Sequence, residues 1–420
     1  MTKSFFLLLS IALCSLNSFS QTTKTDVVVV GNTTEAIAAG IQAARSGVKT
    51  VLITDANILN PTLTLEDIRN LEKIQNHYTF KLKQKSTLKD SLLSPSLNLI
   101  QSSKLIKGIT DTVKNLTVML NTKVKSIEKS RKGWEIKTSI GREIKTKMLI
   151  DATLNLDVAK MLNIPTDSTL INLQEKSVLQ PQGDKLYRTS SGIAYYKSNS
   201  LQTYYTFPLG VLIPVKSENF IAIPRKSKIG FWPVAMSIGQ AAGATAAYCA
   251  FFNTATAELN VRLIQGELIT FDAPLVTFKD IKENDPNRLA LQNIGLTGLL
   301  KFNMDKSQNH QQQLFNPDGT IAADELRAPM KEYFHRSQIW FADNKPQQLT
   351  IGNVITLIMY SATRGKELKG EIEKAWKGSF KFINSFDEKR VITRREFAVL
   401  ANAYLLPFAR RVDLNGNLLK

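Results

Sequence analysis

The sequence predicts an α/β chain: a Rossmann-like domain with an inserted β-rich segment, followed by a small, mainly helical domain. Three observations predict it. An apolar run, a glycine turn and a small-faced helix lead into a second apolar run within about thirty residues. Short strand-like segments crowd between residues 116 and 153. Beyond residue 268 the pattern changes to short amphipathic helices. A length of 420 residues suits two domains, and 43% hydrophobic with 21% charged residues excludes a wholly disordered chain.

The first strand is Asp26 to Val30, an unbroken apolar run of the kind buried on both faces of a parallel sheet. Residues 31–35 make the turn. In the following helix Ala36, Ala39, Gly40, Ala43 and Ala44 recur on one face, so it can lie close on a sheet. Gly47 ends it, and Thr50 to Ile53 is the second strand. A dinucleotide on such a unit needs a helix N-terminus for its diphosphate and an acceptor after the second strand for its ribose. Gly31, Asn32, Thr33, Thr34 and Ala36 are the candidates for the first task, Thr54 and Asp55 for the second. G-x-G-x-x-G would place glycines at 31, 33 and 36. Here Thr33 puts a β-branched side chain where the phosphates approach, while Ala36 is a tolerated variant.

Next come strands at Val118–Leu120 and Val124–Glu128, then a hairpin from Trp134 to Thr138 and Glu143 to Lys147, running into Met148-Leu-Ile-Asp-Ala-Thr153. With this stretch the chain resembles the FAD-dependent oxidoreductase family of the glutathione-reductase-like fold. Tyr205 to Pro214 and Asn219 to Arg225 are similar to two further segments of that family. Pro233-Val-Ala-Met-Ser-Ile-Gly-Gln-Ala-Ala-Gly-Ala-Thr-Ala-Ala247 is similar to its flavin-facing helix. The resemblance covers roughly residues 25–265. It implies an FAD/NAD(P)-binding fold, FAD as cofactor, and hydride transfer to or from a small-molecule substrate. It adds Val124, Ala152, Thr153, Pro233, Gly239 and Gln240 to the cofactor-binding candidates. Three family glycines are replaced, by Thr33, Leu154 and Pro224, and the segment from Arg225 to Pro233 is short. The expectation is a weakened FAD site, or a scaffold that has lost the flavin. No catalytic acid or base can be named.

Other single residues read as structural. Asp151 and Asp157 could form a carboxylate pair, but their spacing fixes no geometry, and the resemblance explains Asp151 by its place in the fold. Cys249 reads as a small buried apolar residue. Trp232 plugs the gap left by the shortened loop or covers a ring. The stretch from Ile58 to Tyr78 reads as polar and helical, His77 as exposed, and Lys81–Lys89 as a solvated helix face.

In the last third, a helix is expected from Leu289 to Ile294, with a polar gap from Asp305 to Gln313. Three segments then start alike, at Thr320, Leu349 and Val391, each an aliphatic/Thr pair opening a helix. The third carries a Thr-x-x-Glu capping box. They resemble surface-layer homology repeats, which implies Arg394, Arg395 and Glu396 as contacts for an anionic cell-envelope glycan. A plain helical module is the other reading. His310 and His335, the latter placed on the helix after Pro329, have no partner in sequence, and residues 316–320 are too short for a calcium loop.

The net charge of +18 and pI near 9.7 first suggest nucleic acid. The N-terminus redirects that reading. Lys3, the apolar run Phe5–Leu16 and Ser18-Phe19-Ser20 have the order of an export signal cleaved after Ser20. Leu13 before Cys14 argues against lipidation, and no later apolar run is long enough for a transmembrane anchor. Export leaves about +17 and one cysteine, which can form no internal disulfide. Two cysteines and three scattered histidines exclude the usual metal motifs, so no metal is expected.

The domains expected are a signal peptide (1–20), an FAD/NAD(P)-binding domain (21–270) and a helical domain with repeats (280–420). The function expected is a secreted or periplasmic FAD-dependent oxidoreductase. Its alternative is a non-catalytic envelope protein on the same scaffold, binding anionic glycan or a protein partner; no nucleic acid is expected.

Overall fold

The computed structural model describes residues 22–59, 99–166, 184–198, 201–214, 217–224, 231–305 and 310–419. The export signal, His77, Lys81–Lys89 and nearly all of the stretch from Ile58 to Tyr78 lie outside the described residues.

β1 (Thr22–Val30), α1 (Thr34–Arg45) and β2 (Thr50–Ile53) form the expected βαβ unit. The strands are parallel, with Val27 opposite Thr50 and Val30 opposite Ile53. α2 (Leu99–Thr110) precedes β3 (Leu116–Met119), then β4 (Val124–Ser130), β5 (Gly133–Thr138) and β6 (Glu143–Asp151) follow as a meander. Next come α3 (Asp157–Met161), α4 (Asp184–Thr189), β7 (Ser190–Ser198), β8 (Leu201–Pro208), β9 (Phe220–Ala222) and β10 (Phe231–Pro233). α5 (Ala235–Phe252) and α6 (Val261–Thr270) complete the first part of the chain.

The main sheet has the order β3-β2-β1-β6-β5-β4, with β9 also on β6. β6 is long enough for two tasks. Its first half pairs antiparallel with β5, and its last three residues pair parallel with β9. The central strands are enclosed on both faces, which is why Val27, Val28 and Val29 run consecutively at 0% exposure. α1 and α5 touch backbone to side chain. A Cβ on Gly239 would lie 2.5 Å from the Glu35 carbonyl oxygen, and one on Gly243 would lie 2.4 Å from that of Ala39. The Gly-Gln-Ala-Ala-Gly stretch therefore serves helix packing first.

A second sheet, β10-β7-β8-β12-β11, takes strands from both halves of the chain. β11 (Asn303–Asp305) and β12 (His310–Leu314) come from the stretch expected to be a polar gap. That expectation is corrected: His310 and Gln311 pair with Gln202 and Thr203, so backbone hydrogen bonds, which no side-chain pattern reports, make the strand.

The helical part holds α7 (Arg288–Gly295), α8 (Ala323–Tyr333), α9 (Ser337–Asp343), α10 (Ile351–Ala362), α11 (Glu367–Ala375) and α12 (Arg394–Tyr404) around its own apolar core. His335 falls just past the end of α8, in the turn to α9, rather than on the helix. The three similar segments converge. Thr320 bridges Thr393, Ala322 bridges Gln348, and Thr350 bridges Val391. Capping boxes close α10, through Thr350 and Asn353, and α12, through Thr393 and Glu396.

Arg394, Arg395 and Glu396 work inside this module. Arg394 binds the Phe315 carbonyl and Glu325, Arg395 grips Asp285, and Glu396 accepts from Arg390. Two buried arginines join the two parts. Arg188 makes a two-pronged contact with Glu332, both bonds 2.6 Å, and donates to the Thr297 carbonyl. Arg262 donates to Gln265 and to the Leu296 carbonyl.

Candidate dinucleotide site

The site begins where β1 ends. Gly31 has φ +146°, and a Cβ there would sit 2.4 Å from the Ala152 carbonyl oxygen. The turn out of β1 and the turn out of β6 are pressed together, and only glycine permits both the conformation and the approach. Thr33 then caps α1. Its Oγ1 accepts from the Ala36 N–H at 3.1 Å, and the hydroxyl donates to the Ala152 carbonyl at 3.2 Å. Asn32 Nδ2 donates to the Ile58 carbonyl at 3.2 Å, tying the same turn to the segment after β2.

Two more turns shape the walls. After β2, Thr54 Oγ1 accepts from the Ala56 N–H at 3.1 Å, which leaves Asp55 exposed. After β6, Asp151 is wholly buried and accepts from the Thr153 N–H, the Thr153 hydroxyl and the Ala159 N–H at 2.7–3.0 Å. Burial pushes its carboxyl up, and those three hydrogen bonds hold it back. Asp151 is thus a clamp on the 152–159 turn.

Together these turns enclose a cavity of about 590 Å3 at the C-terminal ends of β1, β2 and β6, a size that suits a bound small molecule. Of the expected residues, Gly31, Asn32, Thr33, Thr34, Thr54, Asp55, Val124 and Thr153 line it. Ala36 and Ala152 lie buried just behind the wall. Thr122, Lys123, Leu154, Asp157, Val158 and Met161 line it too and were not singled out as binding residues. The signal for Thr122 and Lys123 was their place just before Val124; the others come from the stretch after β6, whose path Asp151 holds.

Gly239, Gln240 and Pro233 lie away from this cavity. Gly239 and Gln240 face α1, with Gln240 Nε2 reaching Gln42 Oε1 at 3.4 Å, because the small face of α5 is used to approach α1. Pro233 lies in β10 of the second sheet, paired with Ala194, and none of the three lines the cavity. The three replaced glycines, by contrast, share one place. Thr33, Leu154 and Pro224 each follow the C-terminal end of β1, β6 or β9, and these strands are neighbours. Leu154 stands 64% exposed at the cavity.

The residues present fit a dinucleotide. A glycine turn at the end of β1, a helix start beside it and polar groups after the second strand are all in place. Among the described residues, no cluster of His, Cys, Asp or Glu could hold a metal ion. None of their helices is long and apolar enough to cross a membrane.

Cys249 is 2% exposed, and burial pushes its thiol up to about 12. We expect no reaction of Cys249 with a disulfide reagent at pH 8 in the native protein, and its reaction on denaturation. A fast native reaction would contradict this burial.

Residues 26–169 match the family described as FAD dependent oxidoreductase. No curated protein sequence matches the chain. Among solved structures, thioredoxin reductase from T. acidophilum is 20% identical, with a TM-score of 0.21 and coverage of 30% of this chain and 34% of that one. The bacillithiol disulfide reductase Bdr from Staphylococcus aureus gives 15%, 0.23, 31% and 38%. A steroid monooxygenase bound to NADP gives 16%, 0.22, 31% and 26%. The overlaps span about a third of each of these proteins.

Proposed function

We propose that this chain, whose residues 26–169 match the FAD dependent oxidoreductase family, is an exported flavoprotein that oxidises or reduces a small molecule. The observation that supports this reading is the Gly31 pinch against Ala152, opening onto the 590 Å3 cavity. Gly31, Thr34 and the Ala36 N–H would hold the diphosphate of FAD, with Thr33 beside them, Thr54 and Asp55 the ribose, and Val124 the adenine. Bound FAD would supply the two-electron chemistry; the chain would supply its binding and orientation. Asp151 keeps the wall in register through its three hydrogen bonds. Export rests on residues 1–20, with cleavage after Ser20 and a secreted or periplasmic location.

The test is the visible spectrum of the purified mature chain, followed by titration with FAD. Flavin bands near one equivalent per chain, or saturable uptake of added FAD, are expected. A colourless protein that takes up none would overturn the reading. A second reading is favoured by Thr33, whose hydroxyl already occupies a helix-start donor. In it the scaffold is a non-catalytic envelope protein, holding anionic glycan or a protein partner, and the colourless outcome would support it.

A further inference from the structure

In dinucleotide turns of this kind, the second glycine lets the backbone approach the diphosphate. Here that position is Thr33, and its hydroxyl is engaged twice, by the Ala36 N–H and the Ala152 carbonyl. The start of a helix offers only a few free N–H groups, and a capping side chain takes one of them. We propose that Thr33 is a built-in competitor of the ligand's diphosphate and so sets the affinity of the cavity. This rests on reading the cavity as a dinucleotide site. A phosphate oxygen that is to accept from Ala36 must first displace the Thr33 hydroxyl. A ligand that leaves the cap in place forgoes one charge-assisted bond. Without ligand, the staple to Ala152 ties this turn to the turn after β6.

Thr33→Gly removes the whole side chain, Thr33→Ala removes the methyl group and the hydroxyl with its cap and staple but keeps the Cβ, and Thr33→Ser keeps the hydroxyl. On the full mature chain, titrations with FAD, ADP and riboflavin separate the possibilities. T33G is expected to bind FAD and ADP roughly tenfold tighter than the native protein, and T33A severalfold tighter. T33S should match the native protein. Riboflavin, which carries no diphosphate, should bind all four equally.

The unliganded T33A protein should melt a few degrees lower, as loss of a helix cap requires, and FAD should raise its Tm more than that of the native chain. Equal FAD and ADP affinities across the series would sink the inference while leaving the dinucleotide reading intact. Tightening that extends equally to riboflavin would sink it too, since the change would then be general loosening. If no variant takes up FAD or ADP, both readings fall together.

Discussion

Gly31→Ala is expected to abolish FAD uptake and to destabilise the fold by about 3–5 kcal/mol, the range of severe core lesions. Two faults coincide at this position. The backbone has φ +146°, and the new Cβ would lie 2.4 Å from the Ala152 carbonyl oxygen, inside any allowed contact. Because that carbonyl belongs to the turn after β6, relief would part β1 from β6 at the mouth of the cavity. Gly47→Ala is the control. Gly47 also has positive φ, +92°, but nothing lies within 4 Å of its absent Cβ, so only conformational strain of about 1 kcal/mol is expected. Urea midpoints for both variants, with FAD titration, make the comparison. If G31A unfolds as late as G47A, the pinch between the two turns does not exist in solution.

Glu332→Gln is expected to cost about 2–3 kcal/mol at neutral pH. It would leave Arg188, 1% exposed, without a carboxylate, next to Arg262 at 3%. Burial already lowers Arg262 to about 10, a sign that the region has little capacity for further uncompensated charge. The figure is at the low end for a broken buried pair because the Glu332 side chain is 45% exposed.

The pH dependence gives a second measurement. The hydrogen bond from Arg188 holds the Glu332 carboxyl below its ordinary 4.5. Its contribution is therefore fully present above that value and is lost as the pH falls through the lower folded value. The native protein should lose its advantage over E332Q in acid, and the two urea midpoints should converge as the pH falls below 4.5. Asp151 runs the other way, its raised carboxyl favouring the folded state as pH falls, but it is common to both proteins and cancels. A difference that stays constant from pH 7 to 3 would remove Glu332 from the joint.

How much of this could be read in advance depended on whether the cause was local. The strand at Val27–Val30, the turn at Gly31 and the small-faced helix were legible because each follows from neighbouring residues. The box at Thr393 was legible from its spacing, whereas that at Thr350 was missed because Asn353 fills the place of Glu. β12 was illegible. His310-Gln-Gln-Gln-Leu314 has no alternation, and the strand that joins it to the rest of the sheet, β8, lies more than a hundred residues away. For the same reason the packing of Gly239 and Gln240 against Glu35, Ala38 and Gln42 could not be read in advance.

The sequence by itself determined the α/β class, the βαβ unit with most of its cavity-lining residues, and the replacement of three glycines. These are properties of short segments, set by backbone preference and by the period of apolar residues. Only the tertiary structure decided that Thr33 caps α1 and reaches Ala152, that Asp151 clamps a turn, and that Arg188 meets Glu332 across 144 positions. Those contacts join residues far apart in the chain, and what each side chain does there depends on which distant partner the fold brings within hydrogen-bonding reach.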